Sequence, residues 1–413
     1  MPVTSTCRSL LFVAALVALW AGALAAQQGE SSASLDLYIF NQDDNGGNPV
    51  QNEELLYMGV RVSAKLKISK VLSIRPTASV AQLETGGKTD VPSTITNATT
   101  TSASQKSSSK AGGKSTYTPI TTSLGFDIKP ANTTWTFSPG LFFSYQDNYI
   151  SRGLDFAVSA EFFNGNTIPS LSYGLRWDSL SATGTGAGAI LGAGEGEEEE
   201  EDEDEGGGGA VEKRLETRLT HNLQLGFTQI LSPQWRLNAS FQYTRQDGFL
   251  GAPNAVITLY RGATPILFAN ENLPHDRNRF QFNVRVRYAP VLHFGLGMDH
   301  SFYFDDWGVT HFALEPNAEG PIVVGICRWR VWYRFSYQSG TNYERHRPQN
   351  EFKYQTDDPD LATFTTHSGG VLFYLDLARF GAVHWSLRVS GYGNYRDDGI
   401  SGFGGMLGTE FDW

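Results

Sequence analysis

The stretch Ser401-Gly402-Phe403-Gly404-Gly405-Met406-Leu407-Gly408-Thr409-Glu410-Phe411-Asp412-Trp413 decides the fold. In steps of two, Gly405, Leu407, Thr409, Phe411 and Trp413 share one face; Met406, Gly408, Glu410 and Asp412 share the other. That period marks a strand with one apolar and one polar side. Terminal residues of water-soluble domains fray, so an amphipathic strand there has little use. In a membrane barrel it has one: the last strand pairs with the first and leaves no unpaired backbone in lipid. The expected fold class is all-β, a transmembrane antiparallel up-and-down barrel.

Two aromatic residues one step apart on the apolar face, Phe411 and Trp413, resemble the signal by which bacterial barrel-assembly machinery recognises its clients. The other terminus agrees. Arg8 precedes an apolar core from Leu10 to Trp20, and Ala23-Leu24-Ala25 supplies small residues for cleavage. Residues 1–25 are expected to be a removed signal peptide, and 26–413 a single barrel domain. A membrane anchor would need about 20 apolar residues, and this run breaks sooner into Gln27-Gln28-Gly29-Glu30. Cys7 precedes the apolar core, so it is not a lipoprotein cysteine, and Cys327 alone in the mature chain reads as an apolar wall residue. The destination is the outer membrane of a Gram-negative-type bacterium, with its lipid and lipopolysaccharide as surroundings.

Composition fits. A mean hydropathy of −0.28 looks soluble, but in a barrel only alternate residues touch lipid. Aromatic content of 13 % and 44 glycines suit long strands, tight turns and aromatic girdles. The net charge of −11 misleads, because Glu195 and the nine consecutive acids 197–205 account for nearly all of it. It gives no ground for a nucleic-acid partner.

Period-two alternation recurs along the chain. Leu56, Met58, Val60, Val62, Ala64 and Leu66 alternate with Arg61, Ser63, Lys65 and Lys67. Leu154, Phe156, Val158, Ala160 and Phe162 alternate with Asp155, Ser159 and Glu161. Two arginine-bearing segments follow, at 279–288 and 327–338. With a first strand over about Ser34 to Phe40, short connections fall on every even position: Ser69-Lys70, Pro130 to Asn132, Asn164 to Asn166, Ser232 to Gln234, Pro290, Asn317 to Pro321, and Ala378 to Gly381. Long ones fall only on odd positions, at 41–53, 85–117, 181–213, 247–276 and 339–364, with short polar tips near Asp147, Asp306 and Asp397. Short periplasmic turns and long external loops are how outer-membrane barrels are built. The count is about sixteen strands, within a range of 14–18.

The loops at 85–117 and 181–213 are low in complexity. The acidic block in the second is either a divalent-cation trap or a self-repelling solvated loop; a homopolymeric run lacks the spaced carboxylates of a calcium loop, which favours the second. Catalytic signatures such as His-Glu-x-x-His, Gly-x-Ser-x-Gly and P-loops are absent. Asp299, His300, Asp305, Asp306 and His311 are the densest titratable group, but alternation splits Asp299 and Asp305 from His300. The expectation is therefore no catalytic, metal or cofactor-binding residues, and no enzyme.

The inward side of the strands is more informative. Arg279, Arg285, Arg287, Arg328, Arg330, Arg334 and Arg388 all fall on the polar face with Asp299. Arg61, Lys65, Lys67, Arg176 and Arg236 share it with Asp155, Glu161 and Asp178. Two readings stand: an anion-attracting aqueous pore, or charges that pair across strands and stiffen the wall. At the external rim, Asp305-Asp306-Trp307-Gly308 reads as an interfacial tryptophan anchor on a hydrogen-bonded turn, or as a docking site.

Residues of about 149 to 377 resemble an uncharacterised family of bacterial outer-membrane β-barrel proteins known only as a domain of unknown function. The resemblance rests on Leu225 to Pro233, Asp247-Gly248-Phe249-Leu250 with Pro253, Leu273-Pro274-His275-Asp276-Arg277-Asn278-Arg279, Tyr303 to His311, and Tyr337-Gln338-Ser339 with Tyr343. Asn254 stands where the family tends to have tyrosine, and the two low-complexity loops look like insertions. The resemblance implies a barrel of about sixteen strands and no established activity. It also implies a partner role beside periplasmic flavin-attachment and thiol-redox proteins. The leading expectation is a channel for small hydrophilic solutes, anions among them. The runner-up is a non-conducting barrel that docks a periplasmic redox or surface partner, and a rim enzyme stands third.

Overall fold

The computed structural model describes residues 31–44, 54–85, 115–146, 149–183, 213–251, 256–262, 264–345 and 348–413. The export segment 1–25, the centres of both low-complexity loops and Asn254 lie outside the described residues.

The strands are β1 (Ser32–Asp44), β2 (Leu55–Lys67), β3 (Leu72–Thr85), β4 (Ser115–Tyr117), β5 (Ile120–Ile128), β6 (Trp135–Gln146), β7 (Tyr149–Ala160), β8 (Thr167–Thr183), β9 (Lys213–Ser232) and β10 (Trp235–Gly248). They continue with β11 (Val256–Arg261), β12 (Thr264–Asn270), β13 (Asp276–Val291), β14 (Phe294–Asp305), β15 (Thr310–Val323), β16 (Cys327–Gln338), β17 (Phe364–Phe380), β18 (Val383–Arg396) and β19 (Ile400–Asp412). Each wall strand pairs antiparallel with its sequence neighbours, and β4 and β5 form one wall strand broken at Pro119. β11 and β12 form a separate hairpin within a loop. The wall thus has sixteen strands, many longer than the roughly nine to eleven residues a membrane crossing needs.

The wall closes where the quoted stretch predicts. β19 pairs with β1 over their whole lengths, from Ser32 opposite Asp412 to Asp44 opposite Ile400. Ser31 and Trp413 then exchange backbone hydrogen bonds of 2.8 and 2.9 Å. No edge is left for water to satisfy, which the hydrocarbon region demands.

Alternation sorts the two faces as expected. Leu37, Leu141, Phe156, Leu225, Val284, Val331 and Leu407 stand exposed on the outer side, an apolar belt of the kind a lipid-facing wall needs. Cys327 is a free, half-buried thiol on that side. Stacked aromatics flank the belt toward the short-turn end, Trp235 on Tyr288 at 4.3 Å and Trp385 on Phe411 at 6.0 Å. The molecule is an outer-membrane β-barrel in architecture.

Three turns differ from expectation. β15 runs through Asn317 to Pro321, and the chain reverses at Val324 to Ile326, where Gly325 takes φ +77°. Pro316 and Pro321 are strand residues: the β15–β16 ladder omits the rungs at Glu315 and Pro316, and the proline has no N–H to donate. The turn expected at Pro290 lies instead at Leu292-His293, with His293 at φ +69°. That expected over 378–381 narrows to Gly381-Ala382, after a bulge between Asp376 and Ala378.

Candidate functional site: the lumen wall and the external mouth

The register places every inward arginine on one continuous concave face. From β10 to β16 that face carries Arg236, Arg277, Arg279, Arg285, Arg287, Arg328, Arg330 and Arg334, against Asp299, Asp305, Glu315 and Glu319. Long side chains crowd this half of the interior, with Gln281, Tyr303 and Trp332 among them.

Pairing and surplus coexist. Asp299 accepts from Arg285 at 3.1 Å and binds Arg287 as well. Glu315 lies 4.0 Å from Arg330 and 3.6 Å from Arg334. Two carboxylates thus face four guanidinium groups. Arg279 is held by the Tyr303 hydroxyl at 3.0 Å, and Arg328 lies over the Tyr374 ring at 5.0 Å. Arg388 completes a cluster on the far wall, 2.9 Å from Asp36 and 3.8 Å from Glu410. Stiffening by cross-strand pairs is real, and an excess of positive charge remains on the β10–β16 wall.

On the opposite wall, β1 to β7, short side chains stand among the longer Arg61, Lys65, Arg75 and Phe142. Ser63, Thr77, Ser123 and Ser138 alternate there with outward apolar residues, and Gly125 and Gly140 sit opposite one another. They border a cavity of about 520 Å³ that spans the inner face from β18 through β1 to β7.

Higher on this wall the polar lumen gives way to something the sequence reading missed. Phe40, Leu55, Tyr57, Ala81, Leu83 and Tyr117 form a buried cluster on the inner face, flanked by Tyr38 and Tyr392. Phe40 stacks on Tyr392 at 5.9 Å. A signal was present: Tyr38-Ile39-Phe40 and Leu55-Leu56-Tyr57-Met58 are apolar on both faces at once.

At the loop end, the family-like segments converge. Trp307 is 2 % exposed, buried among Leu250, Leu273, Tyr343 and Leu361, so it is not the membrane-interface anchor expected from its place at a loop tip. Odd alternation continued past Asp305 turns the ring inward, under the loops. Its Nε1 donates to the Asp276 carbonyl at 3.0 Å, and the Arg277 guanidinium lies 4.3 Å from the ring centre. Arg277 Nε donates to Asp305 at 2.9 Å, and the other Asp305 oxygen accepts Val309 N at 2.9 Å. Asp306 accepts the Asn278 backbone N–H at 3.0 Å and its side-chain amide at 2.7 Å. Gly308 has φ +89°, and an added Cβ would meet the Asn342 amide. The Trp307 carbonyl accepts Thr341 Oγ1 and Asn342 N, each at 2.9 Å.

This knot binds three loops. Loops 249–275 and 339–363 also share backbone bonds between Asn272 and Gln355, at 3.1 and 2.7 Å. Burial, reinforced by the Asp306 carboxylate, pushes the Tyr343 hydroxyl above its ordinary value. Asp299, His300, Asp305, Asp306 and His311 do not gather into one site. Asp299 and Asp305 are committed to arginines, Asp306 to Asn278, and His300 lies on the outer face with Nδ1 3.0 Å from the Ala313 carbonyl. Among the described residues no group of three metal-ligating side chains assembles.

Comparison with known proteins adds a family. A family model described as "Protein of unknown function (DUF3570)" matches residues 27–409. No curated protein matches the chain. Among solved structures, Pseudomonas aeruginosa OccK2 (OpdF), crystallised with glucuronate, is 9% identical with a TM-score of 0.42, over 93% of this chain and 97% of that one. A bacterial polysaccharide outer membrane secretin is 7% identical with a TM-score of 0.46, over 92% and 98%. The siderophore receptor PirA from Pseudomonas aeruginosa is 8% identical with a TM-score of 0.41, over 89% of this chain and 56% of the receptor, so the chain spans little more than half of it. Likeness at this level says nothing about what this barrel carries. The match over residues 27–409 does settle its kinship: the chain belongs to the DUF3570 family of proteins of unknown function.

Proposed function

We propose that this barrel is a channel for small hydrophilic solutes, with anions preferred, in the outer membrane of a Gram-negative-type bacterium. The observation that carries the reading is the surplus of arginine over carboxylate on the inner face of β10 to β16. Arginine keeps its charge at any physiological pH, so the excess is permanent. In a narrow lumen an excess of one sign sets ion preference. Sixteen strands are also wide enough to leave an aqueous interior. In this reading the protein transports and does not catalyse. Lipid and lipopolysaccharide surround the belt, and the barrel-assembly machinery recognises Phe411 and Trp413.

The test is the reversal potential in a planar bilayer under a salt gradient. Replacing both Arg330 and Arg334 by alanine removes two of the four cations around Glu315 and Asp299. Anion preference should fall, and an unchanged reversal potential counts against the reading.

One observation favours the second reading, a closed barrel that docks a periplasmic redox partner. Loops 249–275 and 339–363 are tied to each other above the mouth. A folded barrel that passes no current, and that binds flavin-carrying periplasmic proteins in pull-down, would replace the channel by this scaffold.

A further inference from the structure

The wall from β18 through β1 to β7 is layered along the barrel axis. Nearest the short turns lie Ser34, Ser63, Lys65, Arg75, Thr77 and Ser123, around the cavity of about 520 Å³. Above them comes a charged rung of Asp36, Arg61 and Arg388. Above that is the buried apolar layer of Phe40, Tyr57 and Leu83, with Phe40 stacked on Tyr392. A solute on this wall therefore meets hydroxyls and charges at the short-turn end and apolar rings beyond them.

Within the cavity most charges are already satisfied. Arg75 pairs with Asp127 at 2.9 Å, and Ser138 donates to the same carboxylate at 2.7 Å. Arg388 is shared between Asp36 and Glu410. Asp155 binds Arg176 at 2.9 Å. Lys65 differs: it is an exposed residue of the cavity lining and has no acidic partner among the described residues. The Thr77 and Ser123 side chains sit opposite one another in the ladder, and neither hydroxyl has a hydrogen-bond partner among the described residues. Ser34 and Ser63 bond each other at 2.7 Å and retain lone pairs for a further donor.

We propose that this cavity binds a small hydroxylated monocarboxylate, loaded from the short-turn, periplasmic end. The unpaired Lys65 ammonium matches one negative charge. A second carboxylate would find no unpaired cation among the described lining residues, since Arg75 and Arg388 are already taken. The Ser and Thr hydroxyls both donate and accept, which suits ligand hydroxyls and leaves an apolar ligand with unmet polar neighbours. The volume lies within the roughly 300–1,000 Å³ usual for small-molecule sites. Gly125 leaves room for the Arg75 guanidinium, which an added Cβ would meet at 3.3 Å, and Gly140 stands against the Asp155 side chain.

The inference rests on the lumen being a solute path, yet the two fail separately. The experiment is calorimetric titration of the refolded full-length mature barrel in detergent with D-gluconate, with glucose and acetate as comparisons. Gluconate should bind saturably, and glucose and acetate about tenfold more weakly or not at all. Lys65→Gln should weaken gluconate about tenfold, and Ser123→Leu, which replaces a hydroxyl of the lining by an apolar side chain, should weaken it as well. Heat-modified gel mobility identifies the folded barrel in each variant. Gluconate that fails to saturate the folded barrel, or binds Lys65→Gln as well as the parent, overturns the site. Steady conductance without gluconate binding removes the site and leaves the channel; gluconate binding by a silent barrel does the reverse.

Discussion

At the scale of single residues, Trp307 and Arg277 are the clearest case of chemistry committed to structure. Their ring and guanidinium are buried together, with Asp305 closing the ion pair. Removing one partner of a buried pair strands the other charge and costs about 3–5 kcal/mol. Arg277→Ala should therefore lower the unfolding free energy of the barrel in detergent or vesicles by that order, read from urea midpoints. Loss below about 1 kcal/mol, the scale of an exposed pair, would show that the knot is not buried as described. Tyr343, against the same knot, gives a pH test. Its folded value lies above the ordinary 10.0, so its contribution is complete below pH 10 and falls as pH rises beyond that. Comparison of the parent with Tyr343→Phe by ultraviolet titration should show one phenol ionising above pH 10, and ionisation at or below it would contradict the environment described.

At the scale of elements, alternation made the faces legible while the ends of strands were harder. Arg328, Arg330 and Arg334 fall inward as the pattern requires, because a one-residue slip would put all three in lipid. Turn positions were read from proline and glycine, and there Pro290 and Pro321 misled: a proline can stand inside a strand, as Pro316 does where the β15–β16 ladder skips the rungs of Glu315 and Pro316. The inner apolar layer at Phe40 and Tyr57 was invisible to a rule of polar lumen and apolar wall, since both faces of β1 and β2 turn apolar there. Trp307 was read by its loop position, whereas only tertiary packing of three loops reveals its burial. The face assignment itself can be tested on the adjacent strands β10 and β13. Val284, exposed on the outer side near mid-strand, should tolerate arginine poorly, at about 2–4 kcal/mol. Ser240→Arg, on the inner face opposite Asn283, should cost much less. Equal costs in folding titrations from urea would contradict the inside-out assignment.

At the scale of the whole molecule, the interior is lopsided. Arginine, glutamine, tyrosine and tryptophan fill the β10–β16 side, and the β1–β7 side carries serine, threonine and glycine between Lys65 and Arg75 and an apolar layer. Open space consequently lies against the hydroxyl wall, where the cavity is found, facing a wall of surplus positive charge. The external mouth is drawn together by Trp307 and its loops, so any current depends on what those loops leave open. The most direct measurement is single-channel recording of the refolded mature protein in a planar bilayer under a salt gradient. An anion-preferring channel gives steady open-channel steps with a reversal potential on the anion-selective side. A barrel that is folded by gel mobility yet silent, or one that conducts with cation preference, would contradict it.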